Sequence, residues 1–147
     1  MLINKKFKDN ADPAYIGPGT WHTLQTMAFH ARSKKDQLGF IKQMKLICNY
    51  FPCEKCRGHC KEYIKNHPLE EYLGATIEQP NIGADMALGM FIWVWKFHNS
   101  VNNRIGKNIM SWEQAFQLYA NTNEQKSDCS KCSGKEEKQH KMKKRIQ

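Results

Sequence analysis

The sequence predicts an all-α domain: a four-helix bundle with a short fifth helix and a flexible C-terminal tail. Apolar residues recur at helical spacing in successive segments, and strand signals are weak throughout. The composition turns polar after Asn121, too poor in apolar residues to join a core. At 147 residues the chain suits one core, so we expect a folded domain over 1–121 and a basic tail over 122–147.

Pro13 to Gly19 is rich in Pro and Gly and reads as an irregular lead-in. Thr20 is placed to cap a first helix, whose face is Trp21, Leu24, Met27 and Ala28 and which runs to about Arg32. Ser33 to Asp36 starts a second helix with Leu38, Ile41, Met44, Leu46 and Ile47, ended by Phe51 and Pro52. A third begins at about Cys53, carries Cys56, Cys60, Tyr63 and Ile64 along one side, and stops near Asn66 before Pro68. Leu69 to Asn81 reads as a connection with a short helical turn.

The longest apolar segment, Ile82 to Ile105, holds the stripe Met86, Met90, Trp93, Phe97 and Val101, with Gly106 placed as a C-terminal cap. Ser111 opens a Ser-x-Glu start, and Trp112, Ala115, Phe116 and Tyr119 give a fifth helix up to Asn121. No continuous apolar run is long enough to cross a bilayer, and Met1 to Asp9 does not resemble a signal peptide.

Lys plus Arg exceeds Asp plus Glu by 23 to 14. From Gln125 onward eight basic residues face three acidic ones, so five of the nine excess charges lie in the tail. A basic tail is ordinarily a solvated segment, and the charge calls for neither nucleic acid nor membrane as a partner.

The cysteines are Cys48, Cys53, Cys56, Cys60, Cys129 and Cys132. Two pairs have Cys-x-x-Cys spacing, which without a secretory signal reads as redox or metal chemistry. Phe51-Pro52-Cys53-Glu54-Lys55-Cys56 sets one pair at a helix start, where unpaired N–H groups and the positive end of the helix dipole favour a thiolate. Cys48, among apolar neighbours, reads as a buried thiol.

The competing reading is a zinc-binding helical interaction module using Cys53, Cys56, His59 or Cys60, and His67. Against it, the second Cys-x-x-Cys lies far along the chain in polar surroundings. A thioredoxin-like reductase would need alternating strands and helices.

His98-Asn99-Ser100-Val101-Asn102 forms a polar cluster near the end of the most apolar helix. These groups either bond one another and the helix end or hold a polar ligand. Trp21, Trp93, Trp95 and Phe97 are either plain core or flat walls for an aromatic ring system.

From Gly17 to Trp112 the chain resembles the Erv/ALR FAD-linked sulfhydryl oxidases. The motifs that carry this are Gly-x-x-x-Trp-x-x-Leu at Gly17, Trp21 and Leu24, then aromatic-Pro-Cys-x-x-Cys at Phe51 to Cys56. His-Asn-x-Val-Asn with a following Gly-Lys comes third, at His98 to Lys107. The short length and distal cysteine pair look most like the members carried by large cytoplasmic DNA viruses.

The resemblance implies a helical bundle holding FAD, usually as a homodimer, with Cys53 and Cys56 catalytic and Cys129 and Cys132 a shuttle disulfide. It implies FAD contacts from Trp21, His98, Asn99, Val101, Asn102 and Lys107, and less directly from Gly17, Gln25, His30, Asn49, Asn103 and Trp112. Gln25 stands where the family commonly has His, and cysteines bracketing Val101 to Trp112 are absent. Electrons would pass from thiol-containing protein substrates, or a thioredoxin-like relay protein, through Cys53–Cys56 and FAD to oxygen, giving hydrogen peroxide. The implied location is the host cytoplasm and the virion.

Overall fold

The computed structural model describes residues 11–79 and 84–120, so Cys129, Cys132 and the predicted tail lie outside the described residues. Helix α1 spans Pro13–His30, a full turn and more ahead of the predicted start. Asp12 accepts the Ala14 N–H at 2.9 Å and Pro13 supplies a preset φ in the first turn. These signals override the Pro and Gly punctuation. Thr20 is therefore interior, and its hydroxyl donates back to the Ile16 carbonyl at 2.8 Å rather than capping.

Helix α2 is Lys34–Tyr50 behind the Ser33 cap, and α3 is Glu54–Asn66 with Cys53 as its cap residue. A 3-10 turn, Leu69–Tyr72, leads to an antiparallel pair absent from the sequence reading, β1 (Thr76–Gln79) and β2 (Ala84–Ala87), with Ile77 opposite Met86. Met86 thus belongs to a strand and not to the helical stripe. The following helix, α4, begins only at Gly89 and ends at Ile105.

Gly89 explains that start, since a Cβ there would collide with the Tyr72 carbonyl oxygen. Only a backbone without a side chain passes so close to the 3-10 turn. At the other end Gly106 adopts φ of 75°, and the Lys107 N–H donates to the Asn102 carbonyl at 2.8 Å. Helix α5, Trp112–Ala120, opens with a reciprocal capping box: Ser111 Oγ accepts from Gln114 N–H and Gln114 Oε1 accepts from Ser111 N–H. The partner of Ser111 is thus Gln114, not Glu113.

Helix α4 is the central element, with Met90, Phe91, Trp93 and Val94 fully buried. Phe29 of α1 meets Phe91 edge-on at 5.4 Å, and Tyr63 of α3 lies on Phe97 at 4.7 Å. Burial of each such side chain stabilises the fold by about 1.5–3 kcal/mol. The Trp93 indole N–H is satisfied by the His67 carbonyl at 2.7 Å, which fastens the end of α3 to α4. Among the described residues no helix is long and apolar enough to cross a membrane.

Candidate active site

Cys53 and Cys56 form a disulfide at the start of α3, with Cα atoms 5.2 Å apart. Pro52 ends α2's exit and Cys53 has extended backbone, so the chain turns sharply into the helix. The Cys56 N–H points to Cys53 Sγ at 3.2 Å. Arg57 bonds the Phe51 carbonyl at 2.6 Å and so braces the turn from behind.

Cys56 opens onto a cavity of about 580 Å³, within the range of ligand pockets. Its walls come from every helix: Gly17 and Trp21 from α1, Met44 and Ile47 from α2, His59 from α3, Phe97, His98, Val101 and Asn102 from α4, Tyr119 from α5. Lys107 and Arg104 also line it. Cys53 is not among the lining residues, so the two sulfurs of one disulfide face different surroundings.

The polar cluster of α4 divides in two. His98 stacks on Trp21 with ring centroids 4.1 Å apart and planes 8° from parallel, and its Nδ1 lies 3.2 Å from the Gln25 amide nitrogen. Burial, then the neighbouring His22 and Lys107 charges, lowers the His98 pKa to about 4. The ring is therefore neutral near pH 7. Asn102 is buried at the cavity wall.

Asn99, in contrast, turns to the segment after α4: its amide donates to the Met110 carbonyl at 2.8 Å and its oxygen accepts the Met110 N–H at 3.0 Å. Trp112 packs on Phe91 and Trp95, and Asn49 and Asn103 are exposed. His30 lines a second, open groove beside α2 with Met27, Gly39 and Leu46. Gln25 sits behind the cavity wall and meets it through His98.

Sequence reasoning missed the neighbours that only the fold brings in: His22, whose Nδ1 is 3.0 Å from the Tyr119 hydroxyl, together with Tyr119 and Arg104. Burial raises the Tyr119 pKa, so it remains a phenol. Sequence reasoning also misread Cys48. It is not a free buried thiol but is bonded to Cys60, with Cα atoms 5.4 Å apart. All four described cysteines are thus taken up in disulfides, which removes the thiolates that the zinc reading requires. No group of three or more metal-ligating side chains occurs among the described residues.

The residues present fit FAD. A flat Trp21–His98 wall suits an aromatic ring system, Lys107 and Arg104 suit phosphates, and apolar lining surrounds both. Gln25 Oε1 is buried without a hydrogen-bond partner just behind this wall.

The sequence pattern of the Erv1 / Alr family matches residues 18–137. The FAD-linked sulfhydryl oxidase of African swine fever virus is 30% identical over 106 residues, covering 70% of this chain and 78% of that one. The FAD-linked sulfhydryl oxidase ERV1 of Arabidopsis thaliana is 24% identical over 102 residues, which is 67% of this chain and 47% of that protein. In fold, the crystal structure of the yeast Erv1 core superposes with a TM-score of 0.60 at 15% identity, covering 83% of this chain and 97% of that one.

Proposed function

The chain belongs to the Erv1 / Alr family and is an FAD-dependent thiol oxidase that forms disulfide bonds, and from this premise we propose that Cys53 receives substrate electrons and Cys56 passes them on. Thiols are its substrates and oxygen its electron acceptor. The observation that carries the division of labour is that Cys56 lines the cavity and Cys53 does not.

A substrate thiolate attacks Cys53 Sγ, forming a mixed disulfide and releasing Cys56 as thiolate. A second substrate thiol then attacks the mixed disulfide, leaving substrate oxidised and Cys53 reduced. The Cys56 N–H aimed at Cys53 Sγ, and the α3 N-terminus behind it, stabilise negative charge on Cys53. Arg57 holds the turn so that Cys56 keeps facing the cavity. When bound, FAD supplies the two-electron chemistry that closes the disulfide again and reduces oxygen to hydrogen peroxide.

Trp21 and His98 would hold the ring system by stacking and hydrogen bonding, with Gly17, Val101 and Asn102 shaping the walls and Lys107 meeting phosphate. Cys129 and Cys132 would relay electrons from protein thiols to Cys53, a reading supported by their matching Cys-x-x-Cys spacing. Protein thiols or a thioredoxin-like relay protein would supply those electrons in the cytoplasm. A homodimer is supported by the exposed Met27, Leu38 and Leu46 on α1 and α2.

The purified full-length protein is expected to be yellow and to consume oxygen when given dithiothreitol. A colourless protein holding stoichiometric zinc would overturn the assignment.

A further inference from the structure

Catalysis at Cys53–Cys56 removes its own scaffold once per turnover. While that bond is open, the first turn of α3 keeps the Cys53 sulfur cap and the Arg57 contact with Phe51 as its local ties. A second cross-link lies one turn further along the same helix. Cys60 of α3 is bonded to Cys48 in the last turn of α2, and the chain between them carries the whole Phe51–Cys56 motif.

The two disulfides differ in accessibility. Cys48 and Cys60 are 2% and 6% exposed and belong to the apolar core, whereas Cys53 and Cys56 are only half-buried. Thiol–disulfide exchange needs an attacking thiolate to reach a sulfur and a leaving thiolate that is stable where it forms. Cys48 and Cys60 both line the cavity beside Cys56, yet at this burial neither sulfur offers an external thiol an open approach. Among the described residues the nearest internal nucleophile is Cys56, one turn from Cys60, and its attack on Cys60 would expel Cys48 as a thiolate among Met44, Ile47 and Phe97. Apolar burial raises a thiol pKa and makes that departure unfavourable.

We propose that Cys48–Cys60 stays closed throughout the catalytic cycle and acts as a positioning clamp, holding the start of α3 against α2 so that Cys56 keeps facing the cavity while Cys53–Cys56 is open. The proposal rests on Cys53–Cys56 being the pair that cycles. Cys48 and Cys60 are positioning residues: neither exchanges with substrate, and both act through Cys56.

The test uses the full chain as purified, reduced without oxygen by about three equivalents of dithiol, enough for the flavin and for the Cys53–Cys56 and Cys129–Cys132 pairs, quenched by alkylation and read by mass spectrometry. Label is expected on Cys53 and Cys56 and not on Cys48 or Cys60. Hydrogen exchange is then compared with the Cys48→Ala/Cys60→Ala variant. Amides of residues 54–58 should exchange about tenfold faster or more in the reduced variant than in the reduced parent, with a much smaller difference between the oxidised forms.

Label on Cys48 and Cys60 as fast as on the active pair, or equal exchange in the two reduced proteins, would sink the clamp. The labelling result stands by itself if the variant does not fold. An unlabelled Cys53–Cys56 pair would instead refute the catalytic assignment, which is a different outcome.

Discussion

Gln25 and His98 meet across 3.2 Å, amide nitrogen to Nδ1. An amide nitrogen only donates, so Nδ1 accepts and the proton of the neutral ring sits on Nε2. A residue that cannot titrate thereby sets the tautomer of one that can, while Trp21 fixes the plane of the ring. Replacing Gln25 by Leu should leave Nδ1 without a partner, destabilise the fold by about 1–3 kcal/mol and weaken FAD retention. Urea denaturation and flavin release measure the two effects.

The acid limb of stability should carry the signature of His98. Its folded pKa of about 4 lies below the ordinary 6.5, so between these values the unfolded chain binds the extra proton. Stability is complete above about pH 6.5 and declines as pH falls toward 4. The groups facing the ring are His22 on α1 and Lys107 after α4, both of which disfavour its protonation. Denaturation midpoints across this range should lose part of their slope in His98→Gln.

Cys56→Ser should reduce oxygen uptake with dithiothreitol to background, because no second sulfur remains to close the pair. Cys53→Ser should do the same to turnover while leaving Cys56 at the cavity, so the two variants separate in the flavin absorption spectrum of the isolated protein. Identical spectra would argue against distinct surroundings for the two sulfurs.

Loss of Cys129 and Cys132 together should spare small dithiols and slow the oxidation of protein thiols. Comparing initial rates with dithiothreitol and with a reduced unfolded protein makes this test. Unchanged rates on both would remove the relay from the scheme.

Gly89→Ala should be costly out of proportion to one methyl group, since the new Cβ collides with the rigid Tyr72 carbonyl and not with a movable side chain. A loss of about 1–3 kcal/mol in chemical denaturation is expected.

The helices were legible because their signals are local. Ser33, Cys53 and Gly106 stand where a cap is needed, and the apolar stripes of α3 and α4 face the core, whereas of the predicted α2 face Ile41 and Met44 are buried and Leu38 and Leu46 are exposed. Where local signals competed, the reading failed: Asp12 with Pro13 outweighed the glycines behind them, and Met86 fitted a helical period by coincidence within a strand. The paired strands depend on contacts between segments, which periodicity does not report.

The site shows the same division. Cys53 and Cys56 stood out through spacing and residue type, whereas Trp21 and His98 were open to two readings between which only the family resemblance chose. The Cys48–Cys60 bond joins two helices, and neither cysteine's neighbours in the chain point to the other. Tyr119 and His22 are drawn together only by the packing of α5 on α1.

Asn99 presents its amide to Met110 as one strand presents its backbone to another, satisfying both the N–H and the carbonyl of that residue. With the Trp95 indole on the same carbonyl, the corner that follows α4 and carries Lys107 is immobilised as the chain folds. Its ordering entropy is lost at that stage and not on association, so an incoming dinucleotide would meet a rigid rim and keep more of its intrinsic affinity.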